Sequence, residues 1–142
     1  MIEFFYQTDF ELSDQEDISN WIQSVITSYG FDLGSVSYIF CDDSYLLKLN
    51  QEFLNHDTFT DILSFDYTAD KIIEGEIYIS VERVRENSDT YGVEFLEELR
   101  RVIIHGILHF CGFSDESPED RDKMRELEDR ALVQFHQKFL KR

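Results

Sequence analysis

Apolar and polar residues follow one another along this chain in blocks of two different periods, and the blocks give its order of elements. The opening run "IEFFYQ" at 2–7 is apolar and aromatic and predicts a strand. In "SDQEDISNWIQSVITSYG", Ile18, Trp21, Ile22, Val25, Ile26 and Tyr29 recur at helical spacing and form one apolar face. Ser13 and Glu16 stand at capping-box spacing ahead of it, and Gly30 supplies a stop. "SVSYIFC" predicts a second strand, after which Asp42 or Asp43 can cap a helix through 44–55. "DILSFDY" and "GEIYISV" are both β-like, and the polar turn "TADKIIEG" between them predicts an antiparallel hairpin. A weakly patterned helix follows in "ERVRENSDTYG", then a long and strongly apolar one in "EFLEELRRVIIHGILHF", ending near Gly112. Ser117 and Pro118, as N-cap and first helical residue, open the last helix, whose stripe is Met124, Leu127, Ala131, Leu132, Phe135 and Phe139. Strands and helices mix without strict alternation. The expected fold is therefore α+β: a single domain over 1–142, with a small mixed sheet of about four strands packed by helices.

Charge narrows the partners. Acidic residues outnumber basic ones 30 to 13, giving a net charge of −17. Such a chain repels polyanions at long range, which argues against non-specific nucleic-acid binding and against DNA as a target. It leaves room for a local basic groove or for a docking partner. Cys41 and Cys111 do not make a disulfide framework in a chain of this size, so they are read as free thiols. "MIEFFYQTDF" lacks a basic n-region, and no apolar run reaches the roughly 18 residues of a membrane span. The expectation is a cytoplasmic protein with no membrane partner.

The chemistry concentrates in "HGILHFCGFSD", residues 105–115. Residues four apart on a helix differ by about 40° around its axis, so His105 and His109 point the same way from consecutive turns. Two imidazoles placed so can share a divalent ion, and a third ligand must come from beyond the helix. Gly112 can end the helix, and the turn can return Asp115. Two His and one carboxylate suit Zn²⁺ with a position left open, and they also suit Fe²⁺. The competing reading is a buried helix whose two histidines are satisfied by hydrogen bonds. Gly106 stands where HExxH enzymes carry their glutamate base, which disfavours peptide hydrolysis. Cys111 lies about 200° round the helix from His109 and is read as a packed thiol. His56 and His136 are isolated, and His136, among Gln134, Gln137 and Lys138, is read as a surface residue.

These residues resemble a known family. "HGILHFCGF" is similar to the HGxLHLxGY signature of the YbeY family, bacterial endoribonucleases of ribosomal-RNA maturation. "TDILSF" resembles that family's T-[DN]-V-L-S-F, and "GEIYIS" its G-D-I-x-I-S; Leu49 and Asn50 precede them in the family's order. The resemblance implies a metzincin-like α+β domain that binds one Zn²⁺, or another divalent transition metal. It implies a single-strand-specific endoribonuclease acting in rRNA maturation and small-subunit quality control. RNA would be reached through the ribosome or a ribosomal protein. By position the metal ligands are His105, His109 and Asp115.

Three departures from the family stand out. The third ligand is usually His; Asp115 leaves Zn²⁺ with one positive charge where three His leave two. The family's Arg after its "LNxxY" segment is replaced by Leu54. The His one turn before the first ligand is replaced by Arg101, which stands on the ligand face and is the candidate catalytic cation, placed to steady phosphate charge. Its alternative is pairing with Glu97 or Glu98. Thr60 and Asp61, ahead of "ILSF", are candidates to orient a ligand or a water from behind, or else they cap a turn. The loss at Leu54 keeps a second function open: a non-catalytic ribosome-assembly factor with a structural metal.

Overall fold

The apolar blocks close into one sheet with helices on both faces. The computed structural model describes residues 1–54 and 60–140. Its elements run β1 (Ile2–Tyr6), α1 (Gln15–Ser28), β2 (Asp32–Cys41), α2 (Asp43–Leu54), β3 (Ile62–Asp66), β4 (Ile72–Ser80), α3 (Val81–Tyr91), α4 (Phe95–Phe110) and α5 (Pro118–Phe135). A wider π-helical turn, His136–Leu140, continues α5. The strand order is β1-β2-β4-β3, with β3 antiparallel to β4 and the other pairs parallel. The expected mixed four-stranded sheet and the hairpin are both present. His56 lies outside the described residues.

Side chains alternate across the sheet and sort into two layers. Phe4, Tyr38, Phe40, Ile73, Ile77 and Ile79 face the main core, shared with the apolar faces of α1, α4 and α5. Cys41 and Leu63 face the other way, where α2 covers them with Leu46. Each large apolar side chain buried in this way stabilises by about 1.5–3 kcal/mol. Packing of that size helps to hold even α3, whose own apolar pattern is weak; Val81 and Val84 join the core from it.

Three local expectations change. The hairpin turn is tighter than its polar letters suggested. Asp70 and Lys71 both have positive φ, 54° and 65°, and Ala69 and Ile72 exchange backbone hydrogen bonds of 3.3 and 2.9 Å. That is a two-residue turn of type I′, so Ile72 and Ile73 belong to β4, one outward and one inward. Strand β2 likewise begins earlier, at Asp32, with a register break between Leu33 and Val36. The capping box at Ser13 and Glu16 does not form: Asp14 is the N-cap, without a side-chain cap bond, and its carboxylate lies 3.8 Å from Arg100. An ion partner on α4 competes with the free N–H groups for that carboxylate.

Two buried donors tie the layers together. The Tyr38 hydroxyl donates to the carbonyl of Ile103 in α4 at 2.8 Å. The Trp21 indole donates to the carbonyl of Ala131 in α5 at 2.9 Å. Tyr38→Phe should therefore destabilise the fold by about 1 kcal/mol in urea denaturation. An unchanged midpoint would show that the hydroxyl does not help to hold α4 on the sheet.

Candidate metal centre

Helix α4 buries Ile103, Ile104, Ile107 and Leu108, and this orientation leaves His105 and His109 half-buried together on its flank. The helix ends as its sequence requires. Gly112 takes φ +97°, its N–H donates to His109 O at 2.9 Å, and the Phe113 N–H donates to Leu108 O at 3.1 Å. This is a Schellman closure, which only glycine adopts cheaply. The same turn reaches back to the site, because the Phe113 carbonyl lies 2.9 Å from His109 Nδ1.

The hydrogen bonds define which lone pairs are left. A carbonyl only accepts, so His109 Nδ1 carries the hydrogen it donates to Phe113. His105 Nδ1 lies 2.6 Å from Glu128 Oε2 and donates to that carboxylate. Each Nε2 is then a bare acceptor in the neutral ring, yet the two stand 2.9 Å apart. Asp115 Oδ2, a third acceptor, is 3.4 Å from both. Three converging acceptors repel unless a proton or a cation lies among them. Ligands held about 2.0–2.1 Å from a tetrahedral ion stand roughly 3.3 Å from one another, close to the edges found here. His105, His109 and Asp115 therefore form a group that can hold a metal ion. Burial alone would lower the His105 pKa, but the Glu128 hydrogen bond and charge, with Asp115 and Asp61 behind them, raise it overall.

A cavity of about 430 Å³ opens beside this group, walled by Thr60, Asp61, Glu98, Arg101, Arg125 and Glu128 among others. Thr60 and Asp61 thus line the cavity beside the trio. The Thr60 hydroxyl donates to Ile62 O at 3.3 Å, the turn-capping alternative, while Asp61 O accepts from the Ser80 N–H at 3.0 Å. Burial pushes the Asp61 carboxyl up, against the pull of His105. Arg101 also lines the cavity, but its ion partners come from α5: Glu128 Oε1 at 2.9 Å and Asp129 Oδ1 at 2.7 Å. Glu97, one of its expected partners, instead meets His136 at 2.7 Å. Arg125 lines the cavity with no ion pair among the described residues. Cys111 is buried, with its thiol pushed up to about 11, as a packed residue should be.

Sequence reasoning missed Glu128, which is only 5% exposed. The signal was there: Glu128 stands four after Met124 and four before Leu132, inside the apolar stripe of α5. A carboxylate at a core position must have partners. Glu98, 6% exposed on α4, is a second such acid, and no hydrogen bond or ion pair reaches it among the described residues.

An α+β domain whose most apolar helix aims two imidazoles at a cavity, with a carboxylate returned by the next turn, is of a class that can hold a metal ion. The family model described as Endoribonuclease YbeY matches residues 4–136, and the chain belongs to that family. A protein named Endoribonuclease YbeY from Flavobacterium psychrophilum is 54% identical over 97% of this chain and 99% of its own length. One of the same name from Flavobacterium johnsoniae is 50% identical over 96% of this chain and 98% of its own. The solution structure of TM1509 from Thermotoga maritima shares the fold, with a TM-score of 0.71 and 26% identity, covering 98% of this chain and 91% of that one. Among the described residues no helix is long and apolar enough to cross a membrane.

The unpaired acid gives a pH test. Burial pushes the Glu98 carboxyl above its ordinary range; Arg101 draws it back, and Asp61 adds to the rise. A raised folded-state pKa gives stability that is complete below the unfolded value and lost as pH rises through the folded one. Glu98→Gln should therefore be more stable than wild type at neutral pH, by about 1 kcal/mol or roughly 3 °C in Tm, and no more stable near pH 4. Thermal melts at the two pH values check this; equal gains at both would mean that the charge is not the cause.

Proposed function

We propose that this chain is a metal-dependent endoribonuclease, specific for single strands, that acts in the maturation and quality control of small-subunit ribosomal RNA. The observation carrying this reading is the convergence of His105 Nε2, His109 Nε2 and Asp115 Oδ2, each ring already committed at its other nitrogen. His105, His109 and Asp115 would hold one ion, with Zn²⁺ the best match to two imidazoles and a carboxylate. When bound, such an ion supplies Lewis acidity toward a phosphate oxygen and lowers the pKa of water.

The chain's own residues supply the rest. Glu128 and the Phe113 carbonyl fix the two rings, so both Nε2 atoms face the cavity. Arg101 keeps a positive charge at the wall, although both terminal nitrogens are engaged by α5. We assign the direct phosphate contact to Arg125, whose guanidinium can fork onto phosphate oxygens. Thr60 and Asp61 line the opposing wall, where Asp61 and His105 each favour the other's charged form. With a net charge of −17, the protein should bind bare RNA weakly, and a ribosome or ribosomal protein would bring the substrate.

Chelation should stop cleavage of a single-stranded RNA while circular dichroism shows the fold intact. Asp115→Ala should lose bound metal and cut roughly 100-fold or more slowly, about 3 kcal/mol at the transition state. If chelation instead unfolds the chain, and the loaded protein never cuts RNA, the structural-metal assembly factor is the correct reading. Arg125→Ala should raise KM about tenfold with kcat nearly unchanged. An equal loss on Arg101→Ala with Arg125→Ala silent would return the phosphate contact to Arg101.

A further inference from the structure

We propose that Glu128 is the positioning residue of the metal centre: from α5 it fixes the ring and the donor strength of His105. The inference rests on the metal-centre reading above and adds a residue to it.

The argument begins with cost. A carboxylate inside an apolar helix stripe loses its hydration, and it is tolerated only when hydrogen bonds and charge replace the water. Here the replacement is complete and divided. Oε1 takes Arg101 Nη1 at 2.9 Å, and Oε2 takes His105 Nδ1 at 2.6 Å. The shorter bond is the one to the histidine, just below the usual range of charge-assisted N–H···O contacts.

Position comes next. The indole of Trp21 bonds Ala131, one turn beyond Glu128, and its ring packs edge-on against Phe135 at 5.0 Å. Helix α5 is therefore anchored from α1 close to the carboxylate. Arg101 stands one turn before His105 on α4, so the carboxylate bridges two consecutive turns of the helix that carries the ligands. With Nδ1 tied from this side, rotation of the imidazole about its bond to the chain is blocked, and Nε2 is left toward His109 and Asp115.

The consequence is an asymmetry between the two rings. His109 is oriented by a neutral carbonyl, whereas His105 is oriented by a carboxylate. A carboxylate on Nδ1–H makes the opposite nitrogen a stronger donor, and loss of such a partner typically weakens metal affinity about 10- to 100-fold. Asp129 completes the assembly by holding Arg101 at 2.7 Å, which leaves Arg101 two α5 anchors and Glu128 a fixed counter-ion.

The test is metal affinity, measured on the full chain with Zn²⁺ by competition with a chromophoric chelator, and the visible spectrum of the Co²⁺-loaded protein. Glu128→Gln keeps an acceptor oxygen but loses the charge. It should fold, as judged by the melt of the metal-free protein, and bind Zn²⁺ about 10- to 100-fold more weakly with a shifted Co²⁺ band. Glu98→Gln removes a carboxylate from the same cavity without touching His105, and it should change affinity by less than about twofold. If wild type binds neither ion, the metal centre itself is wrong and this inference goes with it. If wild type binds and Glu128→Gln matches it in affinity and spectrum, the metal centre stands and the positioning role is overturned. If Glu128→Gln fails to fold, Glu128→Asp, which keeps the charge but draws it back, takes its place; wild-type affinity and spectrum there would overturn the role equally.

Discussion

Helix α4 lies so close to β3 and β4 that a side chain at position 106 would have to displace the ends of isoleucines on the sheet. A Cβ there would stand 2.8 Å from Ile77 Cδ1 and 3.3 Å from Ile62 Cδ1. A second glycine makes the matching allowance on the sheet: a Cβ at Gly75 would stand 2.6 Å from the Phe110 ring. The contact sets the rotation of α4, since the face carrying Gly106 must meet the strands. Once that face is turned inward, His105 and His109 are fixed on the flank, between the edge strand β3 and helix α5. The cavity is what remains between those two walls. The same contact explains the missing glutamate of the HExxH pattern. In this fold the residue after the first histidine faces isoleucines, so an acid there would be buried in the core rather than set beside the ligands.

Electrostatics then dictates how the walls can be built. The protein is strongly acidic, and the cavity carries Asp61, Glu98, Asp115 and Glu128. Left alone, these acids and two bare imidazole nitrogens would repel one another. Arg101 answers one of them directly. Asp61 and Glu98 respond in the other way open to a buried acid, with carboxyls that hold their protons more tightly. The convergence of His105, His109 and Asp115 can be relieved in two ways: a proton on His105, whose pKa is raised by the acids around it, or a cation from outside. Two imidazoles and a carboxylate with their donor atoms this close together form a group that can hold that cation.

Much of this was legible in the residues, for definite reasons. The order of elements followed from periodicity. The convergence of His105, His109 and Asp115 followed from a helical spacing, a glycine and a carboxylate at the right remove, all local features. Errors arose where a distant partner decided the outcome. Asp14 forms no side-chain cap because Arg100 lies near it across α4. Glu97 takes His136 rather than Arg101, because His136 follows α5 and only the packing of α5 on α4 brings it near. Ile72 and Ile73 were hidden in a turn because Asp70 and Lys71 adopt the left-handed backbone without a glycine to advertise it. Glu128 is the harder case, because a stripe is read by its apolar members and not by the polar residue that interrupts it.

Asp115 in place of a third histidine connects these points. A carboxylate ligand removes one unit of positive charge from a divalent centre. Glu128 behind His105 would remove another, and a centre so neutralised would polarise a phosphate poorly. Arg101, standing where the family often has a histidine, cancels the second loss. It holds the Glu128 carboxylate at 2.9 Å, so orientation of His105 comes without a further net charge at the ion. A divalent ion held there would keep a single net positive charge, and the guanidinium that secures this has both terminal nitrogens engaged by α5. Arg125, one turn before Glu128 on the same helix, lines the same cavity with no ion pair among the described residues, which suits it to the phosphate contact proposed for it.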